Sequence, residues 1–365
     1  MHLPAPSVLC QYLDDVCHDD TDIDMPEKGS RMRKIINDPA AFVDEVIDGI
    51  LIAHADRLRA VTPEKRAIVR ADAPIAGQVG IVTGGGSGHL PVFLGYVGPG
   101  LCSGVAVGNV FSTPGAEQVL AATRASDGGR GVLYLYGNYG GDVLNFDDAA
   151  ELAGEEGITV RTVLVADDVT SAPADRKENR RGVAGLAFAY KVAGAAAANG
   201  ASLDEVAEVV EHLNANMGSM GVGLSPTVLP AAGEPTFTLG EGEMEIGIGI
   251  HGERGVRRGP LERADSIAEE LFATISADLA LARGESIALL VNGLGATPLE
   301  ELYLLYRRVA QVCAEEGIVI ERPYVGEYAT SLEMAGASLT IVRLDDRLRA
   351  LLDAPATSPF VGAML

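Results

Sequence analysis

Cysteine is scarce in this chain, with four in 365 residues. Cys10, Cys17, Cys102 and Cys313 form no CxxC pair, so the spacing predicts reduced thiols and excludes a disulfide framework or a structural zinc site. Cys10 and Cys17 lie near His18 and several aspartates, but at no spacing typical of a metal centre. Positive charge is also short: 28 Lys and Arg against 51 Asp and Glu leave a formal net charge of −23. Such a surface repels phosphate backbones and anionic headgroups, which argues against nucleic-acid and membrane-surface partners. No apolar run reaches the roughly 18 residues of a membrane span. The opening MHLPAPSVLCQYLDDVCHDD lacks the basic-then-apolar order of a signal peptide. A cytoplasmic protein is expected.

What is present is an ordinary globular composition, 47% hydrophobic with 44 glycines, rich in tight turns. The length suggests two domains. Residues 1–31 are acidic and without period, a disordered tail by this reading, and Met32 is a possible start. From there Phe42, Val43, Val46, Ile47, Ile50 and Leu51 recur at helical spacing. GQVGIVTGGG, GVAVGN, GVLYLYGN and ITVRTVLVADDV read as strands, and alternate with helices that Thr113 with Pro114, and Asn145, are placed to cap. The alternation predicts a largely parallel three-layer α/β/α domain over 32–184. Polar SAPADRKENRRG (171–182) separates the halves. Two helices follow, the second with a capping box at Ser202 and Glu205, and then a series of strands, so 185–356 is expected to be a mixed-sheet α/β domain. Residues 357–365 read as a C-terminal tail.

Three polar residues stand in glycine-rich turns at strand ends, where ligand sites of α/β sheets gather: His89 in GGGSGHLP, Asp142 in GNYGGDVLNF and His251 in GIGIHGERG. Each one taken alone is as compatible with a structural role. GGGSGH is neither a Walker loop, lacking its lysine, nor a dinucleotide fingerprint. GLGATP (293–298) reads as a strand-to-helix turn capped by Thr297.

GGGSGH, then NY-x-GD-x-x-NF, RRGVAG and GIHGE, with VNGLGATPLEELY and YATSLEMAG, occur in an order that resembles the substrate-binding subunit of dihydroxyacetone kinases over about residues 32–356. The resemblance implies a two-domain fold shared with DegV-like fatty-acid-binding proteins, usually as a homodimer. It makes His251 the residue whose imidazole adds to a ketose carbonyl to give a hemiaminal. Asp142 is then the base for the substrate hydroxyl, and His89 hydrogen-bonds the sugar and shuttles a proton. The backbone of Gly86, Ser87 and Gly88 is expected to line the same pocket.

This sequence departs from the family pattern near those residues. Leu90 replaces an acid, Gly137 a lysine and Gly140 a threonine, all expected inside the site; losing the lysine and the acid takes polar partners from one wall and opens space there, which brings a four-carbon ketose such as erythrulose within range. The resemblance implies no metal or cofactor on this chain. It places ADP–Mg²⁺ or ATP–Mg²⁺ on a separate nucleotide-binding subunit, in many bacteria recharged by a phosphotransferase-system protein. Sensor paralogues of the family leave a second reading, a ketose-sensing transcriptional co-regulator.

Overall fold

The structure, a computed structural model, describes residues 34–361. The expectations for the acidic stretch 1–31, for Met32 and for Cys10, Cys17 and His18 lie outside the described residues. From Ile36 onwards the described residues form one compact unit built on two sheets.

The first helix, α1 (Phe42–Ala53), buries Val43 and Ile47, as its periodicity requires. Strands β1 (Leu58–Ala60), β2 (Ala67–Arg70), β3 (Gly80–Gly86), β4 (Gly104–Gly108), β5 (Val132–Gly137) and β6 (Val160–Val165) make a sheet of order β1-β2-β4-β3-β5-β6. From β4 to β6 in that order neighbours are parallel, and the β1–β2–β4 edge is antiparallel. Parallel strands covered on both faces carry apolar residues continuously, and every residue of β5 is buried. On one face α2 (Ala116–Ser126) and α3 (Gly140–Glu155) pack Val119, Ala122, Phe146 and Ala149 against Val82, Tyr134 and Tyr136. On the other, α4 (Leu186–Ala198) and α5 (Leu203–Ala215) cover Ile81, Val105, Leu133, Leu135 and Val163. This is the expected α/β/α stack. The hairpin edge of β1 and β2 has no glycine-bounded apolar run, so its pattern gave no sign of strands.

Strands β7 (Met217–Ser225), β8 (Glu243–Ile246), β9 (Arg257–Pro260), β10 (Ser286–Gly293), β11 (Val319–Gly326) and β12 (Ala335–Arg343) form the second sheet, of order β11-β10-β12-β7-β8-β9. It is mixed: β10 and β11 are parallel and the other neighbours antiparallel. Helices α6 (Ala264–Leu279) and α7 (Leu299–Glu316) cover the face of Ile287, Leu289, Val291, Leu339 and Ile341. The opposite face, with Ala288, Leu290 and Val342, joins the core of α4 and of α8 (Asp346–Leu352). Helix α4 thus stands between the sheets and is buried from Leu186 to Ala197. Its Lys191 Nζ donates to the carbonyls of Leu351 (2.7 Å) and Ala354 (2.6 Å) at the end of α8.

Several local readings change. The Ser202–Glu205 capping box is present. Thr113 and Asn145, however, cap nothing: α2 is entered from Gly115, whose N–H donates to Gln118, and α3 starts at Gly140, five residues before Asn145. Asn145 instead donates to the Pro114 carbonyl at 2.8 Å. Thr297 bonds the backbone of Gly336, and Pro298 precedes α7. The polar segment 171–182, expected to separate the halves, is itself packed. Arg180 is only 2% exposed and makes a bidentate pair with Asp278 of α6, so the segment is bolted to the second half. Residues 357–361, read as part of a tail, pack on the first half: Thr357 N–H donates to Pro99, Ser358 Oγ to Gly95, and Val361 is buried.

Asn292, buried in β10, organises the turn between β11 and β12. Its amide donates to Ala329 O and Ser338 Oγ, and its carbonyl accepts from the N–H groups of Tyr328 and Ala329 at 2.8 and 2.9 Å. Removing the side chain strands buried backbone donors, each costing about 1–3 kcal/mol. Asn292→Ala should therefore lose roughly 3 kcal/mol or more of unfolding free energy, read as a lowered urea midpoint. An unchanged midpoint would contradict this account of the turn.

Candidate active site

The parallel strands β3 and β4 and the neighbouring β5 deliver three loops to one end of the first sheet, and the β8–β9 loop reaches the same place from the second. Together they enclose a cavity of about 310 Å³ lined by Gly86, His89, Phe111, Thr113, Tyr139, Gly140, Asp142 and His251, among others. That is near the small end of small-molecule sites, which run about 300–1,000 Å³. The structure thus brings His89, Asp142 and His251 to one wall-to-wall site, although 162 positions separate the first from the last.

His89 closes a short 3₁₀ turn, Ser87–His89, directly after β3. Its Nδ1 lies 2.7 Å from the Thr330 carbonyl, and a carbonyl only accepts, so Nδ1 carries the proton and Nε2 has a bare lone pair. Nε2 is buried with no protein partner. Burial, then the neighbouring His251, push the imidazole down to about 3 against the pull of the Thr330 carbonyl. His89 is therefore a neutral acceptor at any ordinary pH. The ring stacks on Phe111 at 4.8 Å and meets the edge of His251 at 4.7 Å.

His251 sits in the β8–β9 loop beside Gly252, at φ +86°. Its Nδ1 is 2.9 Å from Glu253 Oε1, and its backbone N–H donates to Oε2 at 2.9 Å. A carboxylate accepts, so Nδ1 carries a proton here too, and in the neutral ring Nε2 is the bare nitrogen. Tyr139 and Phe111 bracket the ring at 4.9 and 5.4 Å. Burial pushes the Glu253 carboxyl up, but His251, Arg181 and a backbone N–H together hold it at about 2.

Asp142 lies in the first turn of α3, where the exposed N–H groups favour a carboxylate. Thr113 Oγ1 donates to its Oδ1 at 2.6 Å, the bond that takes this threonine away from helix capping. Burial raises the Asp142 carboxyl above its ordinary value, partly countered by Thr113 and His251. A carboxylate so placed is more basic than a free one.

Other expectations are revised. Gly86 lines the cavity, but Ser87 and Gly88 face a neighbouring one with Val43, Leu90 and Leu332. Their N–H groups are taken by the carbonyls of Asn109 and Val110. Leu90 is on that same far side. Gly137 also stands off the cavity: a Cβ there would meet the Gly182 carbonyl at 3.1 Å and the Tyr139 ring at 3.3 Å. Of the three departures only Gly140 borders the site, with nothing within 4 Å of a Cβ. Glu253, Thr113 and Thr330 were not expected at the site from sequence: Thr113 reads there as a helix cap, and Glu253 and Thr330 only fall inside the motifs GIHGE and YATSLEMAG. No cluster of three metal-ligating side chains occurs among the described residues, and none of their helices is long and apolar enough to cross a membrane.

This is the build of a binding protein for a small polar molecule, furnished with groups for nucleophilic and acid–base chemistry. The Dak1 domain model matches residues 48–360, and the chain belongs to that family. It is 45% identical to the dihydroxyacetone-binding subunit of the PTS-dependent dihydroxyacetone kinase 2 of Listeria innocua, covering 90% of this chain and 99% of that one. Against the L-erythrulose kinase of Pectobacterium atrosepticum identity is 43%, over 90% of this chain and 56% of the other. Among solved structures, a dihydroxyacetone kinase operon co-activator superposes with a TM-score of 0.80 at 33% identity, covering 88% of this chain and 97% of that one. The dihydroxyacetone kinase of C. freundii superposes with 0.80 at 30%, covering 89% and 59%. The two-sheet α/β architecture is that of these proteins.

The site makes a prediction about acid. His89 is held near 3 in the folded chain but has an ordinary value near 6.5 when unfolded, so its contribution to stability is fully present above pH 6.5 and is lost as pH falls towards 3. Between pH 7 and pH 5 this amounts to about 2 kcal/mol. His89→Phe should show a correspondingly smaller loss in urea titrations at the two pH values; an equal loss in both proteins would refute the neutral, buried imidazole.

Proposed function

We propose that this chain is the ketose-binding subunit of a dihydroxyacetone-type kinase, a phosphotransferase acting on an alcohol group. It holds a short ketose covalently on His251 while a separate nucleotide-binding subunit delivers the phosphoryl group. The observation that carries the reading is the pairing of His251 Nδ1 with Glu253, which leaves Nε2 bare in the cavity that also holds Asp142. Likeness to kinases of dihydroxyacetone and of L-erythrulose supports the substrate class.

The Nε2 lone pair attacks the carbonyl carbon and the π pair moves to oxygen, which ends protonated as the hemiaminal hydroxyl. A polyol such as glycerol has no carbonyl to capture. Asp142, raised by burial, accepts the proton of the hydroxyl that becomes phosphorylated, a role worth about 10²–10⁴-fold in rate. His89 Nε2, held neutral by burial, accepts a hydrogen bond from a hydroxyl of the sugar. ATP–Mg²⁺ on the partner supplies its γ-phosphoryl group and is left as ADP–Mg²⁺, which is either exchanged for ATP–Mg²⁺ or recharged in place by a phosphotransferase-system protein. We place the protein in the cytoplasm, as a homodimer, with halves meeting near residue 184. The 33% likeness to an operon co-activator supports a second reading, a ketose sensor without kinase activity; a sensor needs the capturing histidine but no base such as Asp142.

Nucleophile and base act at different steps, so their losses should separate. With the donor subunit present, His251→Ala should abolish the adduct seen with ¹³C-labelled dihydroxyacetone, while Asp142→Asn keeps it and loses about 10²-fold or more in kcat. An adduct in the His251→Ala protein would overturn the assignment; no phosphorylation by the parent with any donor subunit would favour the sensor.

Gly140 decides how large a ketose fits. The parent should accept erythrulose as well as dihydroxyacetone, and Gly140→Thr should lower kcat/KM for erythrulose relative to dihydroxyacetone by roughly tenfold. An unchanged ratio would move the specificity wall elsewhere.

A further inference from the structure

The far side of His251 is built as carefully as the side that faces the cavity. Glu253 accepts from the ring Nδ1 and from the His251 backbone N–H, one bond to each oxygen. Arg181 stands 3.8 Å behind Oε2, and is itself held by Asp168, whose Oδ2 accepts from Nε at 3.0 Å and Nη2 at 2.8 Å. Asp168 follows β6, is buried, and has its other oxygen bonded to Thr170. The line Asp168–Arg181–Glu253–His251 therefore runs from the end of the first sheet to a loop of the second. Its charges alternate in sign up to the His251 ring.

The backbone is shaped to admit it. A Cβ on Gly249 would stand 2.2 Å from Glu253 Oε2 and 2.6 Å from Arg181 Nη1. Position 249 has no left-handed φ, so the glycine is there for space, not for conformation. The Gly249 N–H meanwhile donates to the Glu253 carbonyl at 3.0 Å, closing the loop that sets the carboxylate against the ring.

Resting on the proposed covalent capture, we infer that Glu253 is a positioning residue that fixes the Nδ1–H tautomer of His251 and stabilises the positive ring formed on attack, with Arg181 and Asp168 holding Glu253 in place. When Nε2 bonds to the carbonyl carbon, the ring briefly carries both the new bond and the Nδ1 proton, and is cationic beside an alkoxide. The adduct becomes neutral when Nδ1 gives up its proton to the carboxylate and the alkoxide takes one from water; water recovers it from Glu253, so no proton is gained or lost overall. Without the carboxylate the cationic stage has no counter-charge in a partly desolvated site, where such hydrogen bonds are stronger than neutral ones.

The experiment is capture of [2-¹³C]dihydroxyacetone by the full chain, followed by the ¹³C shift of the hemiaminal carbon, together with ¹⁵N spectra of the histidine rings. Parent protein should show His251 protonated at Nδ1 with a bare Nε2. Glu253→Gln keeps the shape but removes the charge and leaves one accepting oxygen for two donors, so it should bind the ketose about ten- to a hundredfold more weakly. Gly249→Ala, which touches neither ring nor substrate, should weaken capture in the same direction by displacing the carboxylate. Parent protein with its proton on Nε2 would overturn the inference without any variant, and so would undiminished capture by Glu253→Gln. Absence of an adduct in the parent is a different outcome, and would overturn the proposed covalent capture itself.

Discussion

The site depends on a clamp between two loops far apart in sequence. Gly88 O accepts from Leu332 N–H, His89 O from Thr330 N–H, Leu90 O from Thr330 Oγ1, and Thr330 O from His89 Nδ1. These bonds tie the turn after β3 to the segment before β12. They do more than hold the chain together: because Thr330 offers His89 a carbonyl, the ring's proton is fixed on one nitrogen and the other faces the cavity bare. The clamp is itself set by Asn292, which pins Tyr328 and Ala329 one residue upstream. Structure and chemistry thus share one hydrogen-bond chain from the second sheet to the first.

The two histidines show how the same residue type is given different work by its Nδ1 partner. A neutral carbonyl behind His89, in full burial, leaves a ring that stays uncharged. A carboxylate behind His251, itself backed by Arg181, offers a countercharge. The first suits an acceptor and the second a nucleophile that must pass through a cation. Neither difference is visible in the ring-to-ring geometry, since both imidazoles contact Phe111 and each other.

Much of this was legible in the sequence because glycine marks where the chain must turn or be approached. GGGSGH, NYGGD and GIHGE located His89, Asp142 and His251, and continuous apolar runs located the parallel strands. What stayed hidden were choices made by contacts across the fold. Thr113 is shaped for a helix cap, but a carboxylate 29 positions away outcompetes the cap for its hydroxyl. Arg180 reads as linker charge until Asp278 supplies a buried partner. Leu90 adjoins His89 in sequence yet lines the neighbouring cavity, because one residue along a tight turn reverses the facing side, and Gly137 is shut off from the site by the Gly182 carbonyl and the Tyr139 ring.

Helix α4 carries a consequence for the molecule as a whole. A helix buried around its full circumference has no solvent face to fall back on, so neither sheet retains a soluble surface if the other is pulled away from it. Lys191 reinforces this, its ammonium being satisfied only by carbonyls at the end of α8. The halves therefore melt together, and cutting the chain beside this helix would yield two sticky fragments and no working module. Entry and exit of a ligand fall to the loops, since rigid halves sharing an inner wall cannot swing apart.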